Sequence, residues 1–237
     1  MIKISELTKR FGSKIAVDNL NLEIKKGEIF GFLGPNAAGK TTTIKLLTGL
    51  LKPTSGTASI CGYDIQRDYV KAKSMLSYIP DTPYLYEKLT GREFLRFVSE
   101  IYLMDRKKSE RRTEELLDFF NIESYADLLI EEYSHGMRQK VVICAALLHN
   151  PEIIVVDEPM VGLDPKTSRL VKDVFKDSAK NGVTIFMSTH TLSVAEEICD
   201  RIGIIDKGKL IAIGTINELK KTSGIEGRLE EIFLRLT

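Results

Sequence analysis

Residues 34–42 have the sequence Gly34-Pro35-Asn36-Ala37-Ala38-Gly39-Lys40-Thr41-Thr42, which fits the phosphate-loop pattern G-x-x-x-x-G-K-[ST]. An apolar, strand-like segment at 28–33 precedes it, and 43–50 has the pattern of a helix, as the motif requires. Backbone N–H groups of such a loop and of the helix N-terminus point at an anion. Lys40 adds a mobile positive charge, and the Thr41 hydroxyl is a ligand for Mg²⁺. The segment therefore predicts a phosphate site; the alternative is a glycine turn before an ordinary helix.

The composition indicates a globular protein without a strong charge bias. The chain has 237 residues, 43% of them hydrophobic, and a net charge of +1. That length is sufficient for one large domain or two small ones. The charge gives no global attraction to nucleic acid or to an anionic membrane surface. Cys61, Cys144 and Cys199 lack C-x-x-C spacing, so we predict small buried residues in a reducing compartment and neither a disulfide framework nor a zinc site.

Apolar runs are short. The longest, at 141–148, is far below the ~20 residues of a membrane span. Residues 1–6 lack the apolar region of a signal peptide. We therefore expect a cytoplasmic chain, whose membrane component, if it has one, is a separate chain.

The predicted elements change in type along the chain. Residues 2–33 predict short strands, mostly alternating as in a half-buried antiparallel sheet, with a turn at 25–27. Residues 55–62 predict another strand between glycines. From 84 to 150 the spacing is helical, with predicted helices at 91–104, 108–120 and 134–149.

The C-terminal part predicts alternating strands and helices. The strands are expected at 152–156, 183–187 and 202–205, and the helices at 166–180 and 192–199. This order implies a parallel sheet with right-handed crossovers. A hairpin is expected at 207–209, and the last 22 or so residues are expected to be helical and amphipathic.

The segment 153–159 predicts a buried apolar strand that ends in two acids, Asp157 and Glu158. A parallel strand delivers its C-terminal residues to the edge of the sheet where ligands bind. Asp157 beside a phosphate loop is suited to hold Mg²⁺, and Glu158 is suited to polarise a water molecule. Two solvated acids at a strand end are the alternative.

Ser134 precedes the helical run at 140–149 as an N-cap residue, and the N-terminus of a helix favours anions. By itself this segment is more typical of an ordinary capped helix than of an anion site.

These elements together resemble the nucleotide-binding domain of ATP-binding cassette proteins. The phosphate loop, the Ser-x-Gly-x-x-Gln element at 134–139, the strand with Asp157 and Glu158, Gly162-Leu163-Asp164-Pro165 and Ser188-Thr189-His190 occur in one order across the chain. The resemblance implies an α/β phosphate-loop ATPase with a parallel-sheet core, an N-terminal antiparallel subdomain and a helical subdomain. It divides the single domain 1–237 into a core lobe, 1–83 and 151–237, and a helical lobe, 84–150.

The resemblance also implies roles for individual residues. Asp157 matches the metal-binding acid, Glu158 the general base, and His190 the residue that contacts the γ-phosphate. Phe11 matches the aromatic residue that stacks on adenine. The implied ATP site is formed by Phe11, Gly34, Asn36, Ala37, Ala38, Gly39, Lys40, Thr41, Thr42, Ser134 and Gly136, and its Mg²⁺ ligands are Thr41, Asp157 and Asp81.

The resemblance further implies that one copy holds half of each site. Ser134 and Gly136 would complete the site of the opposite subunit, far from the phosphate loop of their own chain, in a head-to-tail pair. The loop at 162–165 would reach across to that subunit.

Three positions depart from the family pattern. Ala37 replaces a common glycine, which costs about 1 kcal/mol if the position needs a positive φ. His135 replaces the first glycine of the signature, where it is expected to be a spectator, a pH-dependent contact being the alternative. Asp81 replaces a glutamine that links the metal site to the membrane partner; it retains oxygen ligands but is shorter.

We therefore expect a transport ATPase that hydrolyses Mg-ATP and works with a separate transmembrane permease on the inner face of the membrane. The pattern around Asp81 and Ser134 is similar to the ATPase subunits of exporters for drugs, ions or other small substrates. A soluble cassette acting on ribosomes or nucleic acid is the alternative, and a non-hydrolytic sensing module is a third. No nucleic acid partner is expected.

Overall fold

The computed structural model describes residues 1–82, 84–224 and 227–237. Its strands are β1 (Ile2–Phe11), β2 (Lys14–Ile24), β3 (Ile29–Leu33), β4 (Ser55–Ile60), β5 (Tyr63–Asp64), β6 (Leu76–Ile79), β7 (Ile153–Asp157), β8 (Thr184–Thr189), β9 (Arg201–Asp206) and β10 (Lys209–Gly214). Its helices are α1 (Lys40–Leu47), α2 (Tyr69–Ser74), α3 (Gly91–Ile101), α4 (Arg106–Phe119), α5 (His135–Leu148), α6 (Pro165–Lys180), α7 (Leu192–Ile198), α8 (Ile216–Ser223) and α9 (Leu229–Leu236). Short 3-10 helices lie at Glu123–Tyr125 and Ile130–Glu132.

One sheet is antiparallel, with the order β2-β1-β4-β5. Its inward face carries alternating apolar side chains such as Ile2, Ile4 and Leu22, all buried. They pack on the buried side chains of β3 and α1, including Phe32 and Ile44. The alternation is thus that of a sheet with one face in the core, as the sequence predicted.

The second sheet has the order β10-β9-β3-β8-β7-β6, parallel except for the β9–β10 hairpin. Every residue of β3, β7 and β8 is buried. Such continuously buried strands are expected where both faces of a parallel sheet are covered. The register sets Leu33 opposite Thr189, and Asp157 opposite Ser188, so these strands end at one edge.

Helices α3, α4 and α5 pack on one another and on the sheet. Leu95, Leu117 and Ile143 are fully buried in a core cluster that continues into β7 and α6. Helix α3 begins with a capping box, in which Thr90 and Glu93 each bond the other's backbone N–H. The amphipathic spacing at 91–148 therefore corresponds to helices, with bounds that differ from the predicted ones by up to three residues.

The structure corrects two sequence interpretations and divides the predicted C-terminal helical segment into two helices. Strands β1 and β2 are long, and β3 belongs to the parallel sheet and not to an antiparallel one. The sequence reasoning predicted neither α2 nor β6, the edge strand that pairs with β7. The C-terminal segment forms two helices, α8 and α9; residues 225 and 226 lie outside the described residues.

In the described part of the chain, no helix has both the length and the apolar character needed to cross a bilayer.

His149 joins the end of α5 to α3 and β6. Its ring stacks on Tyr102 with the ring centroids 3.6 Å apart, and its Nε2 lies 3.5 Å from Ser77 Oγ. Burial lowers the pKa of His149 to about 4. The folded chain therefore takes up this proton less readily than the unfolded chain.

The free energy of unfolding should consequently fall as the pH falls from about 6.5 to about 4. Because the ring is only partly shielded from water, we expect His149 to account for about 1 kcal/mol between pH 7 and pH 5. Denaturant titrations at both pH values should show that His149→Phe loses less free energy of unfolding between pH 7 and pH 5 than the parent chain does. Tyr102→Phe, which retains the stacked ring, should lose as much free energy of unfolding as the parent chain. Equal losses in the parent and His149→Phe would contradict this assignment.

Candidate functional site

The loop between β3 and α1 closely approaches neighbouring backbone at two glycines. A Cβ on Gly34 would lie 2.4 Å from the Ile205 carbonyl oxygen, and one on Gly39 would lie 2.4 Å from the Ala16 carbonyl oxygen. Gly39 also has φ +114°, in the region that favours glycine. Both positions therefore require glycine, and the loop is held against β9 and β2.

Lys40 lies at the start of α1 with its ammonium folded over the loop. Its Nζ donates to the carbonyl oxygens of Gly34 at 2.6 Å and Pro35 at 3.1 Å. Burial lowers the pKa of Lys40, and the nearby Glu158 and Asp157 carboxylates oppose that shift. A partly desolvated cation thus faces two acids, and its present partners are neutral carbonyls that an anion can replace.

Asp157 ends β7 and is only 2% exposed. Its Oδ1 accepts a hydrogen bond from Ser188 Oγ, and Thr41 also bonds its carboxyl group. Its Oδ2 is buried and has no hydrogen-bond partner among the described residues. Burial is the main cause that raises the pKa of Asp157, and these two hydroxyls oppose it. An orphaned buried oxygen of this kind is stabilised by a cation.

This donor set fits Mg²⁺. Mg²⁺ prefers oxygen ligands and is commonly held by one or two carboxylates together with substrate phosphates. The Thr41 hydroxyl and the unpartnered Asp157 oxygen meet that requirement beside the phosphate loop. Within the described residues no group of three or more His, Cys, Asp or Glu side chains forms a metal site by itself. The cation would therefore depend on ligands supplied by a substrate.

Glu158 follows Asp157 with φ +50°, an uncommon conformation for a residue with a side chain. Its N–H donates to the Ser188 carbonyl oxygen at 3.0 Å. Its Oε1 lies 2.7 Å from His190 Nδ1, and its Oε2 accepts from Thr189 Oγ1 at 3.1 Å. Thr189, the last residue of β8, and His190, which follows it, thus fix the orientation of this carboxylate at the mouth of the site.

A single cleft of about 770 Å³ brings most of the predicted residues together. Its walls include Phe11, Asn36, Ala37, Ala38, Gly39, Lys40, Thr41, Thr42, Asp81, Asp157, Glu158 and His190. Phe11 is 49% exposed at the end of β1, with Lys9 Nζ 5.0 Å from its ring centre. This exposure is not that of a core residue and leaves a ring face for a planar ligand.

Asp81 lies in the segment after β6. Its Oδ1 accepts from the Thr82 N–H at 2.8 Å, and its charge helps to raise the pKa of Asp157. The structure therefore places Asp81 at the cleft, within electrostatic range of the Asp157 carboxylate, although the two side chains do not bond to each other.

The helix start at 134–136 is arranged differently from the other predicted residues. Ser134 caps α5, and its Oγ accepts from the Met137 N–H at 3.3 Å. Of the described residues that line the cleft, His135 is one, whereas Ser134 and Gly136 are not; the predicted residue Gly34 does not line it either. The sequence reasoning did not predict the position of His135 in the cleft of its own chain.

Sequence reasoning also missed two supporting contacts. Ser188 and Thr189, which bond Asp157 and Glu158, are the last two residues of β8. The segment Ser188-Thr189-His190 was recognised as a motif, but only His190 was given a role. The sequence did contain a signal for these contacts, because two hydroxyl residues end a strand that runs parallel to β7.

Ala37 has φ +62°, so the condition under which alanine is unfavourable there is met. We expect Ala37→Gly to raise the free energy of unfolding by about 1 kcal/mol, because glycine adopts this conformation without strain. Ala38→Gly is the matched control: Ala38 is buried and is not among the residues with positive φ, so this change should lower stability. Denaturant unfolding measures both, and a less stable Ala37→Gly chain would argue against strain at this position.

Comparison with known proteins places this geometry in a family. The ABC transporter family model matches residues 17–161. The linearmycin resistance ATP-binding protein LnrL of Bacillus subtilis (strain 168) is 38% identical over 219 residues, which are 92% of this chain and 70% of that protein. The solved structure of an ATP-binding subunit of an ABC transporter is 32% identical, with a TM-score of 0.95 over 100% of this chain and 99% of that chain.

A second solved structure is a dimeric ATP-binding cassette in a post-hydrolysis state, bound to ADP and Pi. It is 28% identical, with a TM-score of 0.83 over 91% of this chain and 98% of that chain. The match to the family model, the identity to LnrL and the similarity of fold agree with one another. The chain therefore belongs to the ABC transporter family.

Proposed function

We propose that this chain is the ATP-hydrolysing subunit of a transporter and drives transport through a separate membrane permease. The observation that carries this proposal is the single cleft in which Lys40 and the phosphate loop face Asp157 and the Glu158–His190 pair. Phosphoryl transfer to water needs a phosphate cradle, a cation site and a group that orients the water. The residues that we propose for these three roles all line this cleft.

The proposed chemistry depends on positioning and charge. Lys40 leaves the Gly34 and Pro35 carbonyls and pairs with phosphate oxygens of ATP, while loop N–H groups hold the phosphates. Thr41 and Asp157 would hold Mg²⁺, with Asp81 nearby, and the bound cation would supply positive charge that stabilises the phosphoryl oxygens. Glu158 accepts a proton from the attacking water, and His190 holds the carboxylate and contacts the γ-phosphate.

Two copies form each complete site in this proposal. Ser134 and Gly136 offer the N-terminus of α5 to the nucleotide of the partner, and ATP joins the two copies as long as its γ-phosphate is intact. The dimeric, ADP- and Pi-bound cassette with a similar fold supports this arrangement. The two-lobe division, with 84–150 as the helical lobe, is part of the same proposal.

An apolar groove of about 320 Å³ supports a permease partner. It lies between β6, α3 and α5, with walls that include Tyr78, Tyr84 and Ile101. Tyr84 and Ile101 are exposed although they are large and apolar. Exposed apolar patches of this kind mark protein interaction sites. Asp81 follows the same strand, so a partner in this groove would lie close to the proposed metal site.

We further propose that transport is directed outward and that the chain lies on the inner face of the membrane, bound to the permease. The support for export is the similarity to a drug-resistance ATP-binding protein, at 38% identity. The net charge of +1 gives no support to a nucleic acid partner.

Glu158→Gln tests the proposed chemistry. We expect ATP turnover to fall about 100-fold or more, because the amide cannot accept the proton of water. ATP binding and ATP-dependent dimerisation should persist, since the phosphate loop is unchanged. Phosphate release and the mass of the particle in Mg-ATP measure the two effects.

Glu152→Gln is the matched control, because Glu152 lies before the opposite end of β7 and pairs with Lys26 at the surface. It should hydrolyse ATP at the parental rate. A Glu158→Gln chain that turns over ATP near that rate would contradict the general-base role. A chain that remains monomeric with Mg-ATP would contradict the shared site.

Ile101→Asp tests the permease surface. An isoleucine at an interface contributes roughly 1.5 kcal/mol or more, so we expect at least about tenfold less polytopic membrane protein to co-purify with the chain. ATP hydrolysis by the isolated chain should change by less than about twofold. Leu234→Asp, at an exposed leucine of α9, is the control and should not reduce capture. Equal capture by all three chains would argue against this groove as the docking site.

A further inference from the structure

The start of α5 contacts the loop that follows Glu158. A Cβ built on Gly162 would lie 2.4 Å from both Cδ2 and Nε2 of His135. The edge of the imidazole therefore packs directly against the backbone of Gly162. His135 and Val161 also line the cleft with Glu158 and Lys40, so this contact forms part of the cleft wall.

The loop between Glu158 and α6 is held at both ends. At its start, the Val161 N–H donates to the Glu158 carbonyl oxygen at 3.2 Å. At its end, Asp164 caps α6 by accepting from the backbone N–H groups of Lys166 and Thr167 at 2.9 and 3.0 Å. Gly162 lies between these anchors with φ +75°, and the His135 ring supports it there.

We propose that His135 is a positioning residue that holds the 159–164 loop, and through it Glu158, in register with the N-terminus of α5. This inference rests on the proposed ATPase function. The ring acts here by its shape: it fills the space beside Gly162 and limits how far the loop can shift. The Val161 N–H bonds the Glu158 carbonyl oxygen, so a shift of the loop would reach the backbone of Glu158.

In the proposed function, the start of α5 also binds the partner's nucleotide. The contact between His135 and Gly162 therefore links this binding to the position of Glu158 in the same chain. A shift of Ser134 and Gly136 when the partner's nucleotide binds would displace Gly162 and then Glu158. Misplacement of a reacting group by about 1 Å can lower a rate about 100-fold. Loss of this support should therefore reduce turnover and leave the affinity for ATP largely unchanged.

The first test is the separation of kcat from KM. We expect His135→Ala to lower kcat for ATP hydrolysis about tenfold, with KM within about twofold of the parent value. His135→Phe keeps a planar ring edge and should retain kcat within about threefold. His135 is exposed at the first turn of α5, so both variants should unfold at temperatures close to that of the parent. An unchanged kcat in His135→Ala, or an equal loss in His135→Phe, overturns the proposal.

The second test is compensation between the two positions. In Gly162→Ala the new Cβ collides with the ring, so kcat should fall below that of His135→Ala. The double variant His135→Ala/Gly162→Ala should recover part of that loss, since the ring is gone. Multiplying the two single effects gives the kcat expected for the double variant if the positions are independent. If the measured kcat of the double variant is no higher than this value, the proposal is overturned.

Gly62→Ala is the matched control for backbone strain. Gly62 has φ +85°, and a Cβ built on it meets no atom within 4 Å. It should keep the parental kcat. If the parent chain itself does not hydrolyse ATP, the proposed function fails; if the parent hydrolyses ATP and His135→Ala is unaffected, only the inference about His135 fails.

Discussion

The structure depends on the register in which three parallel strands end together. Leu33 of β3 is opposite Thr189 of β8, and Asp157 of β7 is opposite Ser188. This register places the start of the phosphate loop, the buried acid and the hydroxyls of β8 along one edge of the sheet. A slip of one residue would turn these side chains to the other face. The continuous burial of the three strands prevents such a slip, because each strand is packed on both faces.

The same edge holds a charge arrangement that is incomplete by itself. Burial raises the pKa of Asp157 and lowers that of Lys40, so each charged form is opposed by desolvation. Asp157 keeps one buried oxygen without a partner among the described residues, and Lys40 bonds only to neutral carbonyls in the described contacts. A cation at the acid and an anion at the lysine would each offset a desolvation cost. The core therefore leaves this site dependent on bound ions.

The sequence predicted those parts of the molecule in which local pattern and chemistry coincide. The phosphate loop was found because its glycines and Lys40 have a fixed spacing, and Asp157 because it ends an apolar strand. Strand β6 was missed because it has four residues, includes the buried polar Ser77 and is defined by its pairing with β7. The packing of His135 on Gly162 joins distant parts of the chain, and no local pattern reports it. The roles of the site residues and the boundaries of the two lobes remain predictions.

Two residues of the cleft, Ala37 and Glu158, have positive φ although neither is glycine. Such conformations persist where the surrounding structure fixes them, and they cluster at functional sites. For Glu158 the cause is visible: its N–H bonds Ser188, and its carboxylate is held by Thr189 and His190. Glycine would remove the strain there but also the carboxylate. Ala37 has no polar side chain to retain, so its strain is tolerated and not required. The two positions thus differ: the conformation of Glu158 is accompanied by hydrogen bonds to its carboxylate, whereas that of Ala37 is strained and its methyl side chain forms no hydrogen bond that would offset the strain.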